Sequence, residues 1–289
     1  MNDPKHRTRR SHSHSPIDAE CHALKIAVDV AEAWHKGSGP ARPEVALGVV
    51  ATIAMAGMNA QRGPELAQVL RDQSPEEFVA MARYTWAVTL HLRPDLAAWV
   101  HPLLTWLFDD TDQQLRARIK RIADAALDAS QLDLIATDRR YTADLLGPVL
   151  GALRAPANAK VNAQMYTPGD VARALTALAL DDIRPGQSFC DDTVGTGGLF
   201  RVAAETIRGR GLDPADMIWF GADIDELAVA ATAVNSLIWQ LGPRIVLYIG
   251  DILTQPDWAA EAQRRRAHFL ERVDGLFAAA GALDFLKRL

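Results

Sequence analysis

Apolar residues recur at helical spacing through the first half of the chain, in Cys21-Leu24-Ala27-Val28-Ala31, in Phe78-Met81-Ala82-Thr85-Trp86 and in Leu115-Ile119-Ile122-Ala126. Breaks separate these runs at Gly37-Ser38-Gly39-Pro40, at Arg62-Gly63-Pro64, at Ser74-Pro75 and at Arg93-Pro94. Ser74-Pro75 reads as a helix start, with Ser as N-cap and Pro at the first helical position. The apolar run from Val45 to Met58 is too short and too rich in Ala and Gly to span a bilayer, so it predicts a buried helix. No strand and no internal repeat is predicted between Ile17 and about Leu150. Trp86, Trp99 and Trp106 sit at helical spacing in Ala/Leu-rich text, which reads as core rather than as a platform for stacking bases.

The periodicity changes after Ala155-Pro156-Ala157-Asn158, which reads as a linker. A helix is predicted from Pro168 to Leu180, followed by the turn Arg184-Pro185-Gly186. Ser188-Phe189-Cys190 then reads as a short buried strand that runs into Asp191-Asp192-Thr193-Val194-Gly195-Thr196-Gly197-Gly198. An amphipathic helix follows to about Arg208. Met217-Ile218-Trp219-Phe220 is a second strand ending in Gly221-Ala222-Asp223-Ile224-Asp225, and a helix runs on to about Leu241. Arg244-Ile245-Val246-Leu247-Tyr248-Ile249 is a third strand, ending at Gly250-Asp251. Strands alternating with helices imply right-handed crossovers and a parallel sheet covered by helices. The expected fold class is therefore α/β: an N-terminal all-α domain, residues 17–155, then a doubly wound, Rossmann-like sheet, residues 156–289. Residues 1–16 are expected to form a disordered basic arm, with a weak contact to DNA as the alternative.

Composition narrows the class. With 49% hydrophobic and 23% charged residues in 289, the chain is globular and neither disordered, collagen-like nor disulfide-stapled. Its two cysteines, Cys21 and Cys190, lie far apart without zinc-like spacing, which predicts no metal site and fits a reducing, cytoplasmic compartment. The basic start is followed by polar residues where an export signal needs an apolar stretch. The formal charge is −5, and the first sixteen residues carry +3, which leaves −8 for the rest. A body that acidic is a poor phosphate neutraliser, so any DNA involvement calls for a partner or a local basic patch. Arg264-Arg265-Arg266, on an Ala/Glu/Gln-rich helix, reads as a solvated face.

The chemistry lies at the three strand ends, where ligands meet parallel sheets. The glycines of the first turn let the chain leave its strand sharply and let a ligand approach the backbone. The spacing is not the dinucleotide fingerprint, because the third glycine would fall at Phe200, and no P-loop pattern is present. The start of the following helix can still meet an anion such as a carboxylate. Asp223 is placed to accept from ribose hydroxyls and Asp251 from an adenine amino group, although either side chain alone could simply cap the next helix. Together the three features describe an adenosine pocket without a pyrophosphate site.

These residues also carry a resemblance. Met165-Tyr166-Thr167-Pro168 and Asp191-Asp192-Thr193-Val194-Gly195-Thr196-Gly197-Gly198-Leu199-Phe200 resemble the YTP and DPxxGxGGF motifs of adenine-N6 DNA methyltransferases, above all the modification subunits of type I restriction–modification systems. Asp144-Leu145-Leu146-Gly147 is similar to the segment leading into the YTP motif there. Gly221-Ala222-Asp223-Ile224-Asp225 is similar to GxEID, and Gly250-Asp251-Ile252-Leu253 to GDxL. The likeness spans Asp144 to about Leu253. It implies S-adenosylmethionine as cofactor, bound by Tyr166, Thr167, Pro168, Asp191, Gly195, Thr196, Gly197, Gly198, Asp223, Ile224, Asp251 and Ile252, with Thr167, Asp191, Gly195 and Gly197 around its methionine part, Asp223 at the ribose, and Asp251 with Ile224 and Ile252 at the adenine. It also implies a protein partner or specificity subunit that brings DNA.

The chain departs from the pattern in three places. Asp192 stands where the family has proline, and Asp223 where it has glutamate. The [N/D/S]-P-P-[Y/F/W] motif, which grips the amino group of a flipped adenine and stacks on its ring, is missing: no Pro-Pro dipeptide occurs in the chain. Arg272-Val273-Asp274-Gly275-Leu276-Phe277-Ala278 resembles the strand that should precede that motif, but Ala279-Ala280-Gly281-Ala282 follows it. No catalytic residue is therefore assigned, and the α/β domain is expected to be truncated. Three functions stay open: an S-adenosylmethionine-binding relative impaired in methyl transfer or dependent on a partner, an active methyltransferase within a DNA modification complex, and a non-enzymatic interaction or DNA-tethering module.

Overall fold

A computed structural model describes residues 16–36, 42–58, 63–108, 112–154, 169–180 and 182–286. The first half is helical: α1 (Pro16–His35), α2 (Pro43–Gly57), α3 (Gly63–Asp72), α4 (Pro75–Leu92), α5 (Ala97–Val100), α6 (Thr105–Phe108), α7 (Gln113–Asp128), α8 (Gln131–Ile135) and α9 (Leu146–Arg154). The apolar run expected as a buried helix is α2, packed against α4, α7, α8 and α9. Local sequence sets the starts. Ser74 accepts from the Glu77 N–H at 3.2 Å while Glu77 accepts from the Ser74 N–H at 2.7 Å, a reciprocal cap that fixes α4. Asp112 caps α7 through the Leu115 N–H at 2.7 Å. Trp86, Trp99 and Trp106 are core residues, as their spacing predicts.

The second half alternates: α10 (Gly169–Ala179), β1 (Ser188–Asp191), α11 (Gly198–Gly209), β2 (Ile218–Asp223), α12 (Glu226–Ile238), β3 (Ile245–Ile249) and α13 (Trp258–Leu286). The three strands form a parallel sheet in the order β1-β2-β3. Phe189 lies opposite Trp219, and Trp219 opposite Ile245. The Phe189 and Trp219 rings stack with centroids 4.9 Å apart. The α/β expectation is met.

α12 is the joint of the molecule. Its text is almost wholly small or apolar, because it packs on β2 and β3 on one side and on α2, α5 and α9 on the other. One hydrophobic cluster consequently runs from α1 and α2 through α12 to Trp219 and Leu247. A smaller cluster lies across the opposite face of the sheet, where Trp258 and Ala262 of α13 meet Ala222 and Val246. The expected linker at Ala155–Asn158 lies outside the described residues, as does the basic arm up to Ser15.

Three expectations are corrected. Residues 272–278 are not a strand but part of the continuous helix α13. The stretch before them, Ala259 to Glu271, is dense in Ala, Glu, Gln and Arg, and one exposed Gly275 is too weak a breaker to end a helix so favoured. β1 is not buried. Its residues alternate between exposed and half-buried, because among the described residues it pairs with β2 alone. Of the three arginines, Arg264 and Arg265 pair with Glu261 on the surface, but Arg266 turns inward to the buried Asp95 at 3.1 Å and to the Pro243 carbonyl at 2.8 Å. It ties α13 to the helical half and does not join the solvated face.

Candidate cofactor site

The three strand ends meet at one end of the sheet, stitched together by backbone bonds that converge on β2. The Val194 N–H donates to the Ala222 carbonyl at 2.8 Å and the Gly250 N–H to the Asp223 carbonyl at 3.0 Å. The half-buried Asp223 carboxylate accepts from the N–H of Gly195 at 2.9 Å and of Asp225 at 2.9 Å. It thus holds the glycine turn while each oxygen keeps further acceptor capacity. The residue that caps α12 is Asp225, through the N–H groups of Leu227 and Ala228, with Arg154 of α9 forming a two-pronged ion pair on the same carboxylate. The Arg154 hydrogen bonds, outweighing burial, hold Asp225 below the usual carboxylate range.

The glycines divide by role. Gly197 has φ of +91°, and a Cβ there would lie 2.9 Å from Cζ3 of Trp239, so both backbone and space demand glycine. Gly195 has φ of +54°, yet a Cβ on it would meet nothing within 4 Å, and the same is true of Gly198. These two line open space: a cradle that side chains would fill. The first N–H groups of α11 border it.

At the same ends of the strands stand Asp191, the last residue of β1, Ile224, just past β2, and Asp251 and Ile252, just past β3. Asp191 accepts from the Thr193 N–H at 3.0 Å. Burial raises its pKa, the Thr193 bond opposes the rise, and the carboxylates of Asp192 and Asp223 add to it. Ile224, just past the end of β2, is an apolar side chain left 73% exposed. Asp251 is exposed and holds the next turn by accepting from the Leu253 N–H at 2.9 Å. Ile252 packs against the smaller cluster beside Trp258. Asp192, the residue in the family's proline position, accepts from Trp258 Nε1 at 2.9 Å and so anchors the start of α13 to the turn. The thiol of Cys190 beside it is pushed up to about 11 by partial burial and by Asp192 and Asp191, which keeps it protonated at neutral pH. Tyr166, Thr167 and Pro168 lie outside the described residues.

Thr196 is fully buried and its hydroxyl donates to Asp144 at 2.7 Å. Asn235 of α12 donates to Asp144 and to the Thr196 carbonyl, both at 2.8 Å, and Thr232 donates to the Gly195 carbonyl at 2.7 Å. Asp144 also accepts from the Gly147 N–H at 2.9 Å. Burial drives the Asp144 pKa upward against those three hydrogen bonds and the charge of Arg201. Thr232, Asn235 and the role of Asp144 are not legible from motif reading. The signal was nevertheless present, since Thr232 and Asn235 are polar residues three apart in the apolar run Ala228–Ile238. Among the described residues no group of three His, Cys, Asp or Glu side chains is placed to hold a metal ion, and no helix is long and apolar enough to cross a membrane.

Residues 144–270 match the family model described as N-6 DNA methylase. Over 81 residues the chain is 35% identical to the type I restriction enzyme MjaIX methylase subunit of Methanocaldococcus jannaschii. That match covers 27% of this chain and 14% of the subunit, so only a small part of that relative's length is spanned. A crystal structure of the type I restriction–modification system methyltransferase subunit from Streptococcus thermophilus superposes with a TM-score of 0.49 at 17% identity, covering 85% of this chain and 60% of that one.

Proposed function

We propose, from the match of residues 144–270 to the N-6 DNA methylase family model, that this chain binds S-adenosylmethionine at the three strand ends and depends on another polypeptide for the grip on adenine. The observation that carries the reading is the open cradle over Gly195 and Gly198, flanked by acidic and apolar groups that suit the parts of this one cofactor. The ligand is a cation at sulfur with an amino acid tail and an adenosine. Asp191 and Asp223 supply negative charge for its cationic groups and ribose hydroxyls, and the start of α11 suits its carboxylate. The exposed Ile224 and the partly buried Ile252 suit the faces of its base, and Asp251 suits an exocyclic amino group. When bound, the cofactor supplies an electrophilic methyl group. What this chain's residues do is hold and orient it: Asp223 fixes the turn, Gly197 sets its bend, and the acidic pair draws a cation.

The acceptor half has no counterpart in the sequence, since no Pro-Pro motif is present. The acidic charge of the body likewise fits a subunit that leaves DNA to a partner chain, acting in the cytoplasm. Calorimetric titration with S-adenosylmethionine, alongside a methyl-transfer assay on adenine-containing DNA, tests both parts. Saturable binding without transfer by this chain alone is expected. Absence of any binding removes the cofactor reading, and brisk transfer by the isolated chain removes the dependence on a partner. The non-enzymatic reading draws on a separate observation: Val171, Leu175 and Leu178 of α10 are exposed, Leu175 lines a pocket with Phe189, Cys190 and Asp191 of β1, and β1 is an edge strand among the described residues, of a kind that invites pairing. It predicts no thermal shift with S-adenosylmethionine.

A further inference from the structure

We propose that Asp144, a residue of the helical half, is a positioning residue for the glycine turn, so that the helical half is a working part of the cofactor site. The proposal rests on the S-adenosylmethionine reading for its ligand and on geometry for everything else. Three consecutive residues are held from the sheet side. The Thr142 carbonyl accepts from Arg201 of α11 at 3.0 Å, and the Ala143 carbonyl accepts from Trp239 Nε1 at 3.0 Å. The Asp144 carboxylate accepts from Thr196 in the turn and Asn235 of α12. Arg201 also reaches back to Glu20 of α1 at 3.0 Å.

The arrangement is directional. Asn235 spans Asp144 and the Thr196 carbonyl, so one amide group sets the distance between the helical half and the turn. Thr232 holds the Gly195 carbonyl, and Asp223 the Gly195 N–H. The polar groups of Gly195 and Thr196 that face the protein are thereby committed, which leaves the turn's shape determined from behind while its front borders open space. Gly147 is part of the device, because a Cβ there would run into the Asp144 carboxylate and lie 2.7 Å from the Thr196 hydroxyl. A side chain at position 147 would pry the two apart. Removing the Asp144 carboxylate takes away the acceptor shared by the Gly147 N–H, the Thr196 hydroxyl and the Asn235 amide, and the turn loses its rear support. An asparagine keeps one acceptor oxygen for Gly147 and Asn235, and its amide can donate to the Thr196 hydroxyl.

The test compares Asp144→Ala, Asp144→Asn and a core substitution in α2, Ile53→Val, which lowers stability without removing any of these hydrogen bonds. Two readouts are taken on the full chain, under conditions where circular dichroism shows every variant folded. The first is hydrogen exchange at the amides of 195–199 without ligand. The second is S-adenosylmethionine affinity by calorimetry. Asp144→Ala is expected to speed exchange in the turn and to weaken affinity roughly tenfold, the scale of a site whose support is lost. Asp144→Asn should restore most of both, and Ile53→Val should leave both unchanged. Unchanged exchange in the turn of Asp144→Ala overturns the proposal, as does an affinity equal to that of the unaltered chain. If the unaltered chain binds no S-adenosylmethionine, the cofactor reading falls, while the exchange comparison still decides whether Asp144 positions the turn.

Discussion

At the scale of single residues, the candidate site separates groups that keep shape from groups left for a ligand. Gly197 and Gly195 are the sharpest pair. Gly197→Ala meets a left-handed backbone and the Trp239 ring together, and is expected to cost about 2–4 kcal/mol in chemical denaturation. Gly195→Ala meets only the backbone penalty, about 1 kcal/mol, yet places a methyl group in the open cradle. Its titration should show a loss of S-adenosylmethionine affinity well beyond its loss of stability. The carboxylates divide by sign. Asp191 has a folded-state pKa raised above its unfolded value by burial and by Asp192 and Asp223, so its ionised form costs stability at neutral pH. Considered alone, that cost is relieved as pH falls through the raised value towards the unfolded one. Asp225 is the reverse: held low by Arg154, it contributes stability above its unfolded pKa that is lost as pH falls through its folded one. A cationic ligand needs Asp191 ionised. Titrations at decreasing pH should therefore show affinity falling in the window above the ordinary aspartate pKa, and the Asp191→Asn variant should lack that fall.

At the scale of elements, local rules decided most boundaries and failed where tertiary contacts took over. The Ser74–Pro75 start, the α2 run and the three strands with their glycine turns follow from capping, periodicity and turn chemistry. Ser74→Ala is expected to lower stability by about 1 kcal/mol, read from thermal or urea unfolding. The stretch 272–278 shows the limit. The seven-residue segment follows text rich in helix formers, and the helix begun at Trp258 simply continues through it. If α13 is continuous, Gly275→Ala should raise its stability by about 0.5–1 kcal/mol, because its Cβ would meet open space in a helical backbone. A fall in helicity or stability on that change would point to a non-helical segment instead.

At the scale of the whole molecule, the described residues on both sides of the 155–168 stretch contribute to one hydrophobic cluster, with α12 between them. That continuity predicts a single unfolding transition, the same by far-ultraviolet circular dichroism and by tryptophan fluorescence. Trp34, Trp106, Trp219 and Trp239 are all fully buried and report from both halves. Two separated transitions would mean that α12 does not couple the halves as its packing implies.

The sequence by itself determined the α/β class, the helical first half, the three strands and the residues of the glycine turn, because periodicity, capping and turn chemistry act over a few neighbouring positions. It placed Asp191, Asp223 and Asp251 at strand ends for the same reason. Only the tertiary structure decided that Asp223 is tied to Gly195, and that Asp192 and Arg266 are anchors for α13. It alone placed Asp144 behind Thr196. These contacts join residues 28, 66, 171 and 52 positions apart in the chain. No short-range pattern records such a separation, since it is packing around α12 and β2 that brings the partners within hydrogen-bond reach.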